Sequence, residues 1–256
     1  MRLPPRLIPY LLLPLLLLLA GPGSAREPDW GLYGAILADH LRPASRGGIP
    51  YQGVDYPALR RDPRWPRLLE RLARFDEAAL AGRAERLAFW INAYNILAMD
   101  TVLRHWPVDS IKEAGGWLTP VWDLPAGTVA GRRVSLGEVE HRILRPMGEP
   151  RIHFAIVCAS VSCPDLRAEP YTAARLEAQL EDQARRYLAS PKGARREGAT
   201  WHLSRIFAWF EEDFARVGGV AAFVRPRLPA SPGAAAPAFQ RWEADLPYDW
   251  HLNLAP

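Results

Sequence analysis

An α+β fold, helix-rich and built as one domain around a small mixed sheet, is predicted by three features of this sequence. One long segment, Arg83 to Trp106, is apolar around much of a helical circumference. Several short apolar runs lie between breakers and are too brief for helices of ordinary length. Helices and strand-like runs follow one another without a regular βαβ series or an internal repeat.

The N-terminus stands apart from that domain. Arg2 and Arg6 precede an apolar run from Leu7 to Ala20, and the small residues Gly21, Gly23, Ser24 and Ala25 follow. This is the layout of a secretory signal peptide, residues 1–25, with cleavage after Ala25. The expected location is therefore secreted or periplasmic, and no later segment is apolar enough to span a membrane. Residues 26–256 form the expected single domain. The formal charge is +4 over 256 residues. Its arginines are scattered among acids, so the basic stripe of a nucleic-acid surface is absent.

Within the domain, Arg26 to Leu41 has apolar side chains at three- and four-residue steps and predicts a helix. Ser45 to Val54, with Gly47, Gly48 and Gly53, reads as a loop, and Asp55 to Arg60 as one helical turn. Pro63 and Pro66 frame a short helix at Trp65 to Phe75. The long helix follows and carries Asn92 and Asn95 in its interior, beside Trp90 and Tyr94. Asparagine is a poor interior helix residue, because its amide competes for backbone groups. Two roles are open to it: capping buried loops, or facing a site where it orients a histidine.

Thr128 to Val134, with Gly131 at its turn, predicts a hairpin, and Ser135 with Glu138 has capping-box spacing for the helix that carries His141. Glu138 and Glu140 read as a helix start and a solvated face. Further on, Tyr171 to Leu188 and Arg205 to Val217 predict helices, Thr200 to Leu203 a strand, and Leu246 to Asn253 a closing strand. Pro229 to Pro237 reads as a loop or linker. Phe207, Trp209, Phe210 and Phe214 are spaced as core.

The chemistry concentrates in RIHFAIVCASVSCPDL, Arg151 to Leu166, which holds both cysteines. Ile152 to Val157 reads as a buried strand that ends in small and hydroxylic residues before Pro164. Three uses of Cys158 and Cys163 follow. Cys158 is a candidate nucleophile if a histidine lowers its pKa, with His153 or His141 as base and Asn92 as orienting amide. Trp90, Tyr94, Asn95 and Ser160 are the candidate substrate contacts. In an oxidising compartment, a Cys158–Cys163 disulfide is the alternative. A metal site from His141, His153 and the two cysteines matches no standard zinc spacing, so neither metal nor other cofactor is expected.

Several motifs together identify a family resemblance: AFWINAYN at Ala88 to Asn95, VEHRILR at Val139 to Arg145, RIHFAIVCASVSCPDL, the helix Ile206 to Phe214, and YDWHLN at Tyr248 to Asn253. In this order they resemble the family called domain of unknown function 547, over about residues 54–253. The resemblance implies no established activity. By analogy it suggests a papain-like or transglutaminase-like α+β fold, although the long helix here offers Asn92 and Asn95 where such folds place a cysteine. Two functions remain: a cysteine-dependent hydrolase or transferase acting on an acyl or amide bond, or a non-catalytic envelope module held by the disulfide. The partner would be a peptide, glycan or small molecule.

Overall fold

The computed structural model describes residues 27–229, 239 and 241–256. The expected signal peptide, and the linker expected from Pro229 onward apart from its first residue, lie outside them. Helix α1 (Gly31–His40) leads into a hairpin, β1 (Leu41–Arg46) and β2 (Ile49–Val54). The loop expected at Ser45 to Val54 is therefore a strand pair. Gly47 and Gly48 both take positive φ at its tip, which glycine adopts without steric cost. Helices α2 (Tyr56–Leu59) and α3 (Arg64–Arg74) follow, the first capped by the Asp55 carboxylate on the Ala58 N–H.

Helix α4 (Arg83–His105) is the expected long helix, and it is buried from Leu87 to Leu103. Strands β3 (Pro125–Val129) and β4 (Arg132–Ser135) make the expected hairpin beside it. Ser135 then caps α5 (Leu136–Glu138), accepting from the Glu138 N–H at 3.0 Å. The chain continues as a π-helical turn, Val139–Leu144, and reaches a 3-10 helix at Pro150–Phe154. Helix α6 (Leu176–Ala189), strands β5 (Ala194–Glu197) and β6 (Thr200–Ser204), and helices α7 (Ile206–Trp209), α8 (Glu211–Ala215) and α9 (Val220–Val224) follow. Strand β7 (Arg241–Leu246) pairs parallel to β6, while β5 pairs antiparallel to it, so this sheet is mixed.

The architecture is α+β, as expected, with three small sheets among the described residues in place of one. Among the described residues no helix is long and apolar enough to cross a membrane. Two further expectations are corrected. The helix Arg205 to Val217 is broken at Phe210 into α7 and α8. More important, Ile152 to Val157 is not a strand but the 3-10 helix and the turn that leaves it. The β-branched content signalled burial, and the segment is buried, but its backbone is satisfied locally. The Asn95 amide donates to the Ala155 carbonyl at 2.9 Å and accepts from the Val157 N–H at 2.8 Å, replacing a strand neighbour with one side chain.

The apolar interior falls into two clusters. One surrounds α4 and includes Tyr94, Ile156 and Cys163. The other gathers Phe154, Phe207, Phe214 and Phe223 beneath α7, α8 and α9. The segment Ile152 to Cys163 runs along the boundary between them, and a cavity opens there.

Candidate functional site

The cavity has a volume of about 370 Å³ and is walled largely by aromatic side chains. Tyr94 comes from α4, Trp122 from the loop before β3, Trp209 and Phe210 from the α7–α8 break, and Tyr248 and Trp250 from the C-terminal segment. Cys158, Cys163, His153, His141 and Glu140 supply its polar atoms. A largely apolar cavity with a few convergent polar groups is the usual form of a small-ligand site.

The Cys158 thiol is half-buried and surrounded by hydrogen-bonding groups. The Cys163 Sγ lies 2.8 Å away, the Ser160 hydroxyl 3.3 Å and the Tyr248 hydroxyl 3.4 Å. The Ser160 backbone N–H also donates to the sulfur. The tight bend that allows this places Ala159 at φ 56°, uncommon for a residue with a side chain. The bend is held from outside: the Asn253 N–H donates to the Ala159 carbonyl and the Val161 N–H to the His251 carbonyl. Burial alone would push the Cys158 thiol up. Hydrogen bonds from Cys163, Ser160 and Tyr248 outweigh it and bring the pKa down to about 7. Burial and the neighbouring Cys158 push Cys163 the other way, well above its ordinary value. The two cysteines are free thiols here, and their separation exceeds the S–S bond of about 2.05 Å.

His153 projects from the 3-10 helix into the same cavity. Its Nε2 lies 2.7 Å from Asp213 Oδ2, and its ring stacks on Phe210 with centroids 3.9 Å apart. Arg145 grips the same carboxylate with Nε at 2.6 Å and a second nitrogen at 3.2 Å. Burial opposes the charge on Asp213, but His153 and Arg145 hold its carboxyl well below the usual range. Burial also keeps the imidazole below its ordinary pKa, against the pull of Asp213. With Nε2–H directed at the carboxylate, Nδ1 carries the lone pair; it is buried without a hydrogen-bond partner. Its nearest acid is Glu140, whose Oε1 lies 3.9 Å away.

Glu140 overturns the solvated-face reading of this segment, since it is only 6% exposed. It lies on a π-helical turn that buries Val139, Glu140 and Leu144 and leaves His141 and Arg142 exposed. Such turns are frequent at functional sites. Burial first, then the neighbouring Cys158, raise the Glu140 pKa to about 7. The folded state therefore favours the neutral acid. An unfolded carboxyl ionises near pH 4.3, so folding is increasingly penalised from there to pH 7, in total by about 3 kcal/mol. Glu140→Gln is expected to match wild-type stability most closely at pH 4 and to gain about that amount relative to it by pH 8. Urea midpoints at the two pH values check this; an equal difference at both would contradict the assignment.

The other sequence candidates fall into two groups. Tyr94 lines the cavity and Ser160 touches the thiol. His141 also lines it, but its Nδ1 lies 3.2 Å from the Arg145 guanidinium, so the ring faces a cation and its pKa is lowered, by burial first and then by Arg145. Asn92, Asn95 and Trp90 do not line the cavity. The Asn92 amide is engaged at both ends by the Tyr171 backbone, and Trp90 donates to Glu77. Asn92 and Asn95 are thus buried loop caps. Sequence reasoning missed Asp213, Tyr248 and Trp250, all distant along the chain from the cysteines, and also Arg145, which precedes them closely. It also placed Trp209 in the core, whereas Trp209 is 44% exposed at the cavity mouth. YDWHLN, already singled out as a motif, was the one available signal for Tyr248 and Trp250. Among the described residues, His202, Glu243 and Asp245 form the group able to hold a metal, with ligand atoms within 4.8 Å of one another, on the surface of β6 and β7.

Fold and site together define a helix-rich α+β protein whose aromatic cavity gathers a low-pKa thiol, a buried carboxyl and a histidine–aspartate pair. Residues 78–188 match the family model described as protein of unknown function, DUF547. No curated protein and no solved structure matches the chain. The matched segment carries Glu140, His153, Cys158 and Cys163, while Asp213, Tyr248 and Trp250 lie beyond it.

Proposed function

We propose that this protein is an exported cysteine-dependent hydrolase or transferase, acting on an acyl or amide bond with Cys158 as nucleophile. The observation that carries the reading is the set of hydrogen bonds on one half-buried sulfur at the floor of an aromatic cavity. Thiolate, not thiol, is the reactive form, and a pKa of about 7 leaves about half of Cys158 ionised at neutral pH. His153, oriented by Asp213, is the base of this reading. The walls Trp122, Phe210 and Trp250 suit an apolar acyl group. Export by residues 1–25 would place the reaction outside the cytoplasm. Free thiols with opposed pKa shifts favour this over a module held together by a Cys158–Cys163 disulfide.

The test is alkylation by iodoacetamide across pH, followed by intact mass. One label is expected, at Cys158, with a rate midpoint near pH 7, and none in Cys158→Ala with unchanged circular dichroism. A midpoint near 9, or undiminished labelling in Cys158→Ala, would remove the reading.

A further inference from the structure

Glu140 has no part in the reaction proposed above, yet its carboxyl lies 3.9 Å from the His153 Nδ1 and feels the charge of Cys158. It lines the cavity with both. Its backbone departs from α-helical geometry where it turns inward. The His153 Nδ1 beside it is an orphaned acceptor in a buried site, and burying an acceptor unpaired is costly unless something completes it.

We propose that Glu140 is the catalytic acid and base of this site, exchanging a proton with the reacting group while His153 sets how readily that proton is released. The inference rests on Cys158 being the nucleophile, and it moves the role of base from His153 to Glu140. In acylation, the Cys158 thiolate attacks the acyl carbon, a C–S bond forms, and the bond to the leaving group breaks as protonated Glu140 gives its proton to that group. In hydrolysis of the thioester, the Glu140 carboxylate takes a proton from water. The hydroxide equivalent adds to the acyl carbon, the C–S bond breaks, and the electron pair returns to sulfur as thiolate. The site ends with Glu140 protonated and Cys158 ionised, as it began. With an alcohol or amine in place of water, the same sequence is transfer.

The groups that face the carboxyl fit this part. Tyr94, from α4, hydrogen-bonds to it, and Cys158 approaches from the bend. Arg145 lies one turn further along the chain, and Asp213 and His153 face it from α8 and the 3-10 helix. Asp213 is already engaged by Arg145, and the imidazole faces Glu140 with an unpartnered Nδ1 lone pair that can share its proton. A pKa of about 7, raised by burial, lets the carboxyl hold or release that proton near neutrality.

The experiment uses the whole protein and 4-nitrophenyl butyrate, whose leaving group departs without being protonated. Wild type is expected to release a burst of nitrophenolate, one equivalent, and then turn over with a rate rising through about pH 7. Glu140→Gln should keep the burst within about threefold and lose steady turnover by about 100-fold, with butyryl-Cys158 accumulating in the intact mass. Glu140→Asp should restore part of the turnover and its pH profile. If Glu140→Gln turns over at the wild-type rate and pH profile, while Cys158→Ala abolishes the burst, the role of Glu140 is overturned and the nucleophile stands. If the burst survives in Cys158→Ala, or wild type forms no acyl-Cys158, the nucleophile reading is itself overturned. Closely matched melting temperatures for wild type and Glu140→Gln at pH 4 ensure that the comparison is between folded proteins.

Discussion

Asn95→Ala is expected to lower stability by about 3 to 5 kcal/mol, a large share of the 5–15 kcal/mol typical of a folded domain. The Asn95 amide satisfies the Ala155 carbonyl and the Val157 N–H in a buried part of the core. Truncation strands both, at about 1–3 kcal/mol each, and leaves a small void besides. Asn95→Asp keeps an acceptor for Val157 but loses the donor to Ala155 and buries a charge, so it offers no rescue. The loss should reach the site as well, because Val157 adjoins Cys158: the alkylation midpoint should rise from about 7 toward the ordinary thiol value near 8.5. Asn92→Ala provides the control. It strands the two backbone groups of Tyr171 instead, so it should destabilise comparably and leave the Cys158 midpoint in place. Urea unfolding and pH-dependent alkylation of the two variants test the argument. A cost below 1 kcal/mol for Asn95→Ala would show that the loop finds other partners.

These two asparagines also show how far the sequence could be read. Their oddity inside a helix was visible, as was the choice between loop cap and site amide. Choosing required the partners, 60 and 79 residues away along the chain. The long helix, the β3–β4 hairpin and the Ser135 cap were legible because periodicity, turn residues and capping chemistry are local. The 3-10 helix at Pro150–Phe154 was not, since a short apolar run has the same composition whether a strand or a side chain satisfies its backbone. The same limit hid the site's second half. Cys158, Cys163 and His153 lie within one stretch and could be picked out. Asp213 and Tyr248 reach them from 60 and 90 residues away. Glu140 was misjudged for a different reason: its charge was read as solvent-facing, although it stands four residues after Leu136 and four before Leu144, on the apolar face of a helical projection.

Cys163→Ala is expected to raise the alkylation midpoint of Cys158 from about 7 to 8.5 or above. Of the groups that favour the thiolate, the Cys163 thiol is the strongest, 2.8 Å from the Cys158 sulfur and held protonated by its own burial. Removing it leaves the desolvation that opposes ionisation and takes away the main counterweight; the Cys158 N–H also loses the Cys163 sulfur it donates to at 2.9 Å. At pH 7 the thiolate fraction falls from about one half to a few per cent. The remaining thiolate is more basic and attacks faster, so the net loss in alkylation rate is about fivefold, smaller than the loss of thiolate. Cys163→Ser, which returns a donor, should fall between. Stability carries the same signature. A thiol whose folded pKa is depressed adds stability that is fully present above its unfolded pKa, near 8.5, and is lost as pH falls through 7. The gap in melting temperature between wild type and Cys163→Ala should therefore widen from pH 6 to pH 9. If instead the midpoint stays near 7 while stability drops equally at all pH, Cys163 is a packing residue only, and the thiolate must be held by Ser160 and Tyr248.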